Sequence, residues 1–202
     1  MAHRLALLVT GASGMALPRH VLKAMARHPD VGEIHLVVSK GALKVLKHEV
    51  EIKGSGADAL IGAADLEKDS REKIHTYREG ELDAPISSGS FTLTGTAIIP
   101  CSAGTLGALA TGAAGTLVHR GGAVALKERW PLVVGFRETP MTVIHLENLR
   151  RLAYLGATIL PPVPAFYIGG EDFNRFLDHY VLRVFDALGI AEPGQPGLRW
   201  QG

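Results

Sequence analysis

Residues 5–14, Leu5-Ala6-Leu7-Leu8-Val9-Thr10-Gly11-Ala12-Ser13-Gly14, decide the fold. Five apolar side chains run without alternation and stop at Thr10-Gly11. A strand with one wet face alternates; an unbroken run suits a strand covered on both faces, as in a parallel sheet. The small residues that follow read as the turn into a helix over residues 14–28. Met15, Leu17, Val21, Leu22 and Met25 give that helix one apolar face, and Pro29 ends it. Pro18 fits only in its first turn.

The same unit recurs along the chain. Strands are expected at 34–38, 74–78, 96–99 (closed by Pro100), 132–136 and 158–160. Helices are expected from the Ser39 cap to about 50, at 103–110, at 117–129 despite Gly121-Gly122, and at 142–155 with Gly156 as its stop. Between 51 and 80 the pattern is weakest, and a polar loop and one short helix precede the third strand. Phe173, Phe176, Leu177, Tyr180, Val181, Val184, Phe185 and Leu188 mark a terminal amphipathic helix that Gly189 ends. Strand–helix alternation with apolar strands argues a single-domain α/β fold over residues 1–202, a three-layer, doubly wound parallel sheet. Right-handed crossovers then gather the loops at 10–14, 39–40, 85–91, 100–105 and 137–140 on one edge, where such sheets bind ligands.

Composition limits the function. The chain has 202 residues, 47% hydrophobic and 20% charged, which excludes intrinsic disorder. A chain of that length buries about 70% of its unfolded surface without staples. Lys plus Arg is 21 and Asp plus Glu is 20, a net charge of +1, so no basic field awaits nucleic acid or an acidic membrane. The single cysteine, Cys101, excludes a disulfide framework and a multi-Cys metal site. The apolar run near the N-terminus is too short for a signal peptide, and no 18-residue apolar stretch occurs, which points to a soluble cytoplasmic protein.

Several edge residues could carry chemistry. Gly11 to Gly14 can be a structural turn or a phosphate or flavin site, since backbone N–H groups at a helix start attract anions. The stretch Pro100-Cys101-Ser102-Ala103-Gly104-Thr105 repeats that arrangement and leaves the same two readings open. Ser39 reads as a helix cap. Cys101 stands where a nucleophile could, but no Cys-His-Asn pattern surrounds it, and a small buried hydrophobe fits better. Arg120, Lys127, Arg129 and Arg137 fall within eighteen residues. Of these Arg137, with Glu138, follows an apolar strand directly and is expected to face a ligand. Nine histidines show no metal spacing; His145 is expected near the site and the others on the surface. Residues 161–167, PPVPAFY, form a stiff segment with an aromatic end, and Arg183 flanks the apolar stripe of the last helix.

Together these stretches resemble the UbiX family of flavin prenyltransferases, formerly described as aromatic-acid decarboxylases of the ubiquinone pathway. The resemblance rests on GASG at 11–14, SK at 39–40 with Glu49 beyond, SSGSF at 87–91, PCSAGTL at 100–106, ATG at 110–112 and VALKERWPLVV at 124–134. RETP at 137–140, HLENL at 145–149, ILPPVPAFY at 159–167 and RW at 199–200 complete it. It implies a flavodoxin-like or Rossmann-like sheet, metal-free chemistry, FMN, and dimethylallyl monophosphate whose prenyl group is joined to flavin N5 and C6. It also implies that prenylated FMN passes to a UbiD-type decarboxylase, and that the protein is a homo-oligomer, a dodecamer of trimers, with the site and residues 171–202 at subunit contacts.

Residue by residue, the resemblance assigns Gly11, Ala12, Ser13, Ser39, Ser102, Ala103, Gly104, Thr105 and Arg137 to FMN. It assigns Ser88, Arg120, Lys127, Tyr167 and Arg183 to the prenyl phosphate, and Ser13, Glu49 and Glu138, with Lys127, to catalysis. Two stretches depart from the family: Met15-Ala16-Leu17-Pro18 where a Tyr is common, and Ile168-Gly169-Gly170 where a His is usual. An FMN-dependent cysteine decarboxylase of the same fold would need asparagines that PCSAGT and Pro140-Met141-Thr142 lack. A non-catalytic FMN-binding subunit would need no second phosphate site. Glu49, at the end of a helix and beside flavin, is expected to have a raised pKa and to take a proton.

Overall fold

The opening apolar run is the middle of the sheet. The computed structural model describes residues 2–50, 54–169, 172–191 and 197–200. Its six strands are β1 (His3–Val9), β2 (Val31–Val38), β3 (Ile74–Tyr77), β4 (Gly95–Cys101), β5 (Leu132–Phe136) and β6 (Thr158–Ile159). All pair in parallel, in the order β3-β2-β1-β4-β5-β6. That is the Rossmann-like order of a doubly wound sheet. Among the described residues the α-helices are α1 (Ala16–Arg27), α2 (Lys40–Glu49), α3 (Ala57–Ala63), α4 (Lys68–Glu72), α5 (Ala103–Thr111), α6 (Leu117–Glu128), α7 (Val143–Tyr154) and α8 (Phe173–Leu188).

Two apolar layers flank the sheet. Helices α1, α2, α3 and α8 pack on Leu5, Leu7, Val9, Ile34 and Leu36. Helices α5, α6 and α7 pack on Ala6, Leu8, Ile98 and Val134 from the other side. Both faces of β1 are therefore covered, which is why its sequence does not alternate. Met15, Leu17, Val21, Leu22 and Met25 are all buried, as their spacing requires, and Pro18 sits in the first turn of α1. Helix α6 tolerates two glycines because it lies close to the sheet. A Cβ on Gly122 would fall 2.7 Å from Leu109 Cδ2 and 3.1 Å from Ile98 Cδ1.

Four expectations need correction. Strand β4 runs through Pro100 to Cys101; the missing N–H shifts the register against β5 between Ile98 and Cys101 without ending the strand. Two short helices, α3 and α4, replace the single one before β3. Residues 85–91 are not an edge loop. The β3–β4 connection contains no long helix, so this segment itself descends the outer face: Ser87 lies at the first turn of α6, Gly89 beside Glu128 at the last turn, and Phe91 under the Arg4 guanidinium. The histidines other than His145 are not all on the surface either: His28, His35 and His179 are buried.

His35 shows why such a polar residue can go inside. Its Nδ1 lies 2.9 Å from the Tyr77 hydroxyl and its Nε2 3.2 Å from the Glu33 carboxylate. Arg4 grips that same carboxylate with two bonds, of 2.7 and 2.9 Å. A period-based reading sees a lone histidine in an apolar strand and cannot see the Tyr77 hydroxyl that arrives from β3 or the Arg4 that β1 brings to Glu33.

This cluster sets a pH dependence. Burial pushes the His35 imidazole below its ordinary value, and the Arg4 hydrogen bond leads the effects that hold Glu33 at about 2. Both shifts are depressions. Below about pH 6.5 the unfolded chain takes up the imidazole proton before the folded one does, and below about pH 4.5 the same holds for Glu33, so stability falls with acid. The urea midpoint should be level from pH 8 to 7 and decline below about 6.5. In His35→Asn the decline between about pH 6.5 and 5 should be shallower. An unchanged slope in that variant would remove His35 from the account.

Candidate active site

The doubly wound order reverses direction between β1 and β4, and the Thr10 hydroxyl joins their ends. It accepts the Ser102 N–H at 2.8 Å and donates to the Pro100 carbonyl at 2.8 Å. A groove of about 400 Å³ opens over this junction, lined by Thr10, Gly11, Ser39, Gly41, Glu79, Ser102, Gly104, Thr105, Thr116, Val118 and His119. Three helices begin at it. Ser39 caps α2 by accepting the Ala42 N–H, Ser102 caps α5 through Thr105, and Thr116 caps α6 through His119. Their N-terminal N–H groups and dipoles favour an anion. Gly11 lies against Gly41 so closely that a Cβ would stand 2.9 Å from the Gly41 carbonyl carbon, which brings the first two loops into one wall. Hydroxyls, glycines and helix starts form a donor set that suits the phosphate of FMN, and the groove has the size of a small-molecule site.

Beside the groove lies a second, ionic corner. The Glu49 carboxylate accepts the N–H of Gly14 (2.9 Å) and of Met15 (2.7 Å). Arg137 donates its Nε–H to the Ser13 carbonyl at 3.0 Å. Helix α1 has no side-chain cap of its own, and Glu49 supplies one from the far end of α2. The expected raised pKa is overturned. Burial alone would lift it, but hydrogen bonds from Ser13, Met15 and Gly14, with the Arg137 charge, hold the carboxyl below its usual range.

Ser13, Glu49 and Arg137 are thus brought together, as are Gly11, Ser39, Ser102, Gly104 and Thr105; Ala12 is buried under the same loop and Ala103 lies in the first turn of α5. Glu138 points its carboxylate back to the Thr139 N–H. Burial pushes the Cys101 thiol up to about 12, so it stays protonated and inert. The remaining residues form two separate groups. Arg120 holds the Ser87 carbonyl at 2.9 Å, Ser88 bonds Ser90, and Lys127 pairs with Glu128 beside Gly89. Lys127 lies just over two turns past His119, about 12 Å along α6 from the groove. Tyr167 and Arg183 belong with α8, across the sheet.

Sequence reasoning missed Glu79, Thr116 and His119 in the groove wall. Glu79 was within reach: it follows β3 as Arg137 and Glu138 follow β5, and its carboxylate accepts the N–H of Lys40, the first residue of α2. Among the described residues no cluster of His, Cys, Asp or Glu could hold a metal, and no helix is long and apolar enough to cross a membrane.

Residues 1–174 match the Flavoprotein family model. The flavin prenyltransferase LpdB of Lactiplantibacillus plantarum is 38% identical over 199 residues, 98% of each chain. The chain belongs to the flavin prenyltransferase family. UbiX of Pseudomonas aeruginosa is 37% identical over 98% of this chain and 93% of that one. A solved UbiX-like protein of Escherichia coli O157:H7, described as a dodecameric FMN-dependent decarboxylase, superposes with a TM-score of 0.83 at 37% identity, covering 98% of this chain and all of that one. AnUbiX (PadA1), solved with FMN and dimethylallyl pyrophosphate, gives 0.82 at 35%, covering 100% and 99%. The cysteine decarboxylase TvaF shares 14% identity with a TM-score of 0.54 over 78% of this chain and 88% of that one, a likeness of fold alone.

The corner predicts how Glu49 variants behave. Glu49→Ala leaves the start of α1 uncapped and should cost about 1 kcal/mol in urea unfolding, with weaker flavin binding. Glu49→Gln keeps an acceptor and should lose less than half as much. Equal stability in all three proteins, measured side by side, would show that the carboxylate does not hold the loop.

Proposed function

We propose that this protein is a flavin prenyltransferase that transfers the dimethylallyl group of dimethylallyl monophosphate to N5 and C6 of reduced FMN. The prenylated FMN serves a UbiD-type decarboxylase. One observation carries the reading: the anion-seeking groove and the Ser13–Glu49–Arg137 corner adjoin, in a chain that matches flavin prenyltransferases from end to end.

The residues divide the work. Gly11, Ala12, Ser39 and the turn from Ser102 to Thr105 seat FMN, with its phosphate on the helix starts, and Arg137 steadies the first loop through Ser13. Glu49, held as a carboxylate, accepts through the Ser13 hydroxyl the proton lost when C6 is alkylated; its low pKa makes it a relay to solvent rather than a store. Glu138 takes part in the same proton handling. Ser88, Arg120, Lys127, Tyr167 and Arg183 hold the prenyl phosphate and balance the charge that grows on it as it leaves.

Within one chain that phosphate set is split between α6 and α8, on opposite faces of the sheet. A complete site therefore needs a second copy. Exposed Val143, Ile144 and Leu146 on α7, with Phe166 and Phe173 elsewhere, give copies apolar surface to meet on. The assembly is a cytoplasmic homo-oligomer, a dodecamer like the E. coli relative.

Incubation with reduced FMN and dimethylallyl monophosphate should add one C5H8 unit to the flavin by mass; unaltered flavin sinks the reading. Lys127→Ala should raise the KM for the prenyl phosphate at least tenfold, about what losing a charged contact costs, while FMN titrates as before. Lys127→Ala and Arg183→Ala chains, one altered on α6 and the other on α8 and each impaired alone, should regain activity when unfolded and reassembled together. A mixture no better than its parents would show that the site does not cross between copies.

A further inference from the structure

Tyr167 is the only aromatic residue in the proposed phosphate set, and its ring is half exposed and edge-on to Trp200 at 5.5 Å. Its hydroxyl has a fixed neighbour. His179, in the second turn of α8, is 9% exposed and places Nε2 3.2 Å from the Tyr167 oxygen, with the two rings perpendicular and 5.9 Å apart. Arg183 follows His179 by four residues, so both project from the same side of α8. The proton inventory of this pair decides what Tyr167 can offer an anion. A neutral imidazole has one N–H and one bare nitrogen, and a phenol has a single proton. If Nε2 is bare, it takes the phenolic proton, and only lone pairs remain to face a phosphate. If Nε2 carries the proton, it donates to the phenol oxygen, and the phenolic O–H is free to point outward.

We propose that His179 is the positioning residue of Tyr167, donating its Nε2–H to the phenol oxygen so that the phenolic O–H is directed at the phosphate bound by Arg183. The inference rests on the reading above that Tyr167 and Arg183 bind the prenyl phosphate. A hydroxyl that accepts one hydrogen bond donates a stronger second one, so the pair acts in series. Burial, then the neighbouring Arg183, push the His179 imidazole below its ordinary value, against the pull of Asp186 and with help from Arg199. It is therefore neutral at pH 7, and the choice between its two nitrogens is the one that matters. Asp186 pairs with both Arg183 and Arg199, which fixes the cationic side of the same cluster.

The test compares wild type, His179→Leu, His179→Gln, Tyr167→Phe and the His179→Leu/Tyr167→Phe double variant as assembled, FMN-loaded oligomers. KM and kcat are measured for dimethylallyl monophosphate, and its Kd is measured by calorimetry without turnover. His179→Leu should raise KM and Kd about five- to tenfold, the loss of one hydrogen bond, with kcat and FMN affinity near wild type. Glutamine, whose amide nitrogen can stand where Nε2 stood, should recover most of the loss. Tyr167→Phe should match His179→Leu, and the double variant should be no worse than either. Unchanged Kd in His179→Leu, or losses that add in the double variant, overturn the proposal. If the leucine variant does not fold, His179→Phe, which keeps a ring and cannot donate, decides: a Kd raised about five- to tenfold supports the role and an unchanged one overturns it. A wild type that leaves flavin unprenylated brings down the functional reading and this inference together. A prenylating wild type with an indifferent His179→Leu overturns this inference alone.

Discussion

A sheet whose strands are all parallel sends every returning helix off from the same edge. Each helix start brings N–H groups with no partner inside the helix, and here three of them meet over one groove. That concentration of donors is the constraint to which the rest responds. Ser39, Ser102 and Thr116 satisfy part of it from within each turn. Thr10 ties the two halves of the edge together with a single hydroxyl. Helix α1, which lacks a cap of its own, takes the carboxylate of Glu49. What the protein leaves unmet is what an anionic ligand can complete.

The same constraint explains which parts could be read from the sequence. Unbroken apolar runs at 5–9 and 132–136 meant strands covered on both faces, and small residues after them meant turns into helices; both kinds of signal are local. Ser39 announces itself as a cap for the same reason, whereas the cap that Ser102 gives α5 emerges only from the structure. The Glu49 corner is different. Its geometry joins the end of one helix to the start of another, 34 and 35 residues away in sequence, and local dipole reasoning gave the wrong direction for its pKa. Read locally, His35 and His179 look like surface groups, because the Tyr77 and Tyr167 hydroxyls that meet them come from other elements. Residues 85–91 read as an edge loop only if every loop after a strand stays there, whereas this one replaces a helix.

The division of the phosphate set has its own logic. Helix α8 spends its apolar face inside the chain, on α1 and the sheet, through Leu177, Tyr180, Val184, Phe185 and Leu188. Arg183 is then left on the outward side, a position from which it cannot reach the groove of its own chain. The cations at α6 are similarly displaced from the groove by the length of that helix. In the proposed assembly, charges that would repel one another if crowded into one empty pocket would stay apart until copies meet, which would spare each folded chain the cost of concentrating them.

The contact between Gly11 and Gly41 carries a consequence for how the groove receives its ligand. The first two loops touch through backbone atoms alone, with no side chain between them. Side chains at such a junction would have rotamers to lose when a ligand arrives, at about 0.5–1.5 kcal/mol for each one immobilised. Hydrogen atoms have none. The wall therefore has no side-chain rotamers to order at this junction when a ligand binds. A ligand seated on the α1 side is therefore registered against the start of α2, and the shape of that wall is set when the chain folds.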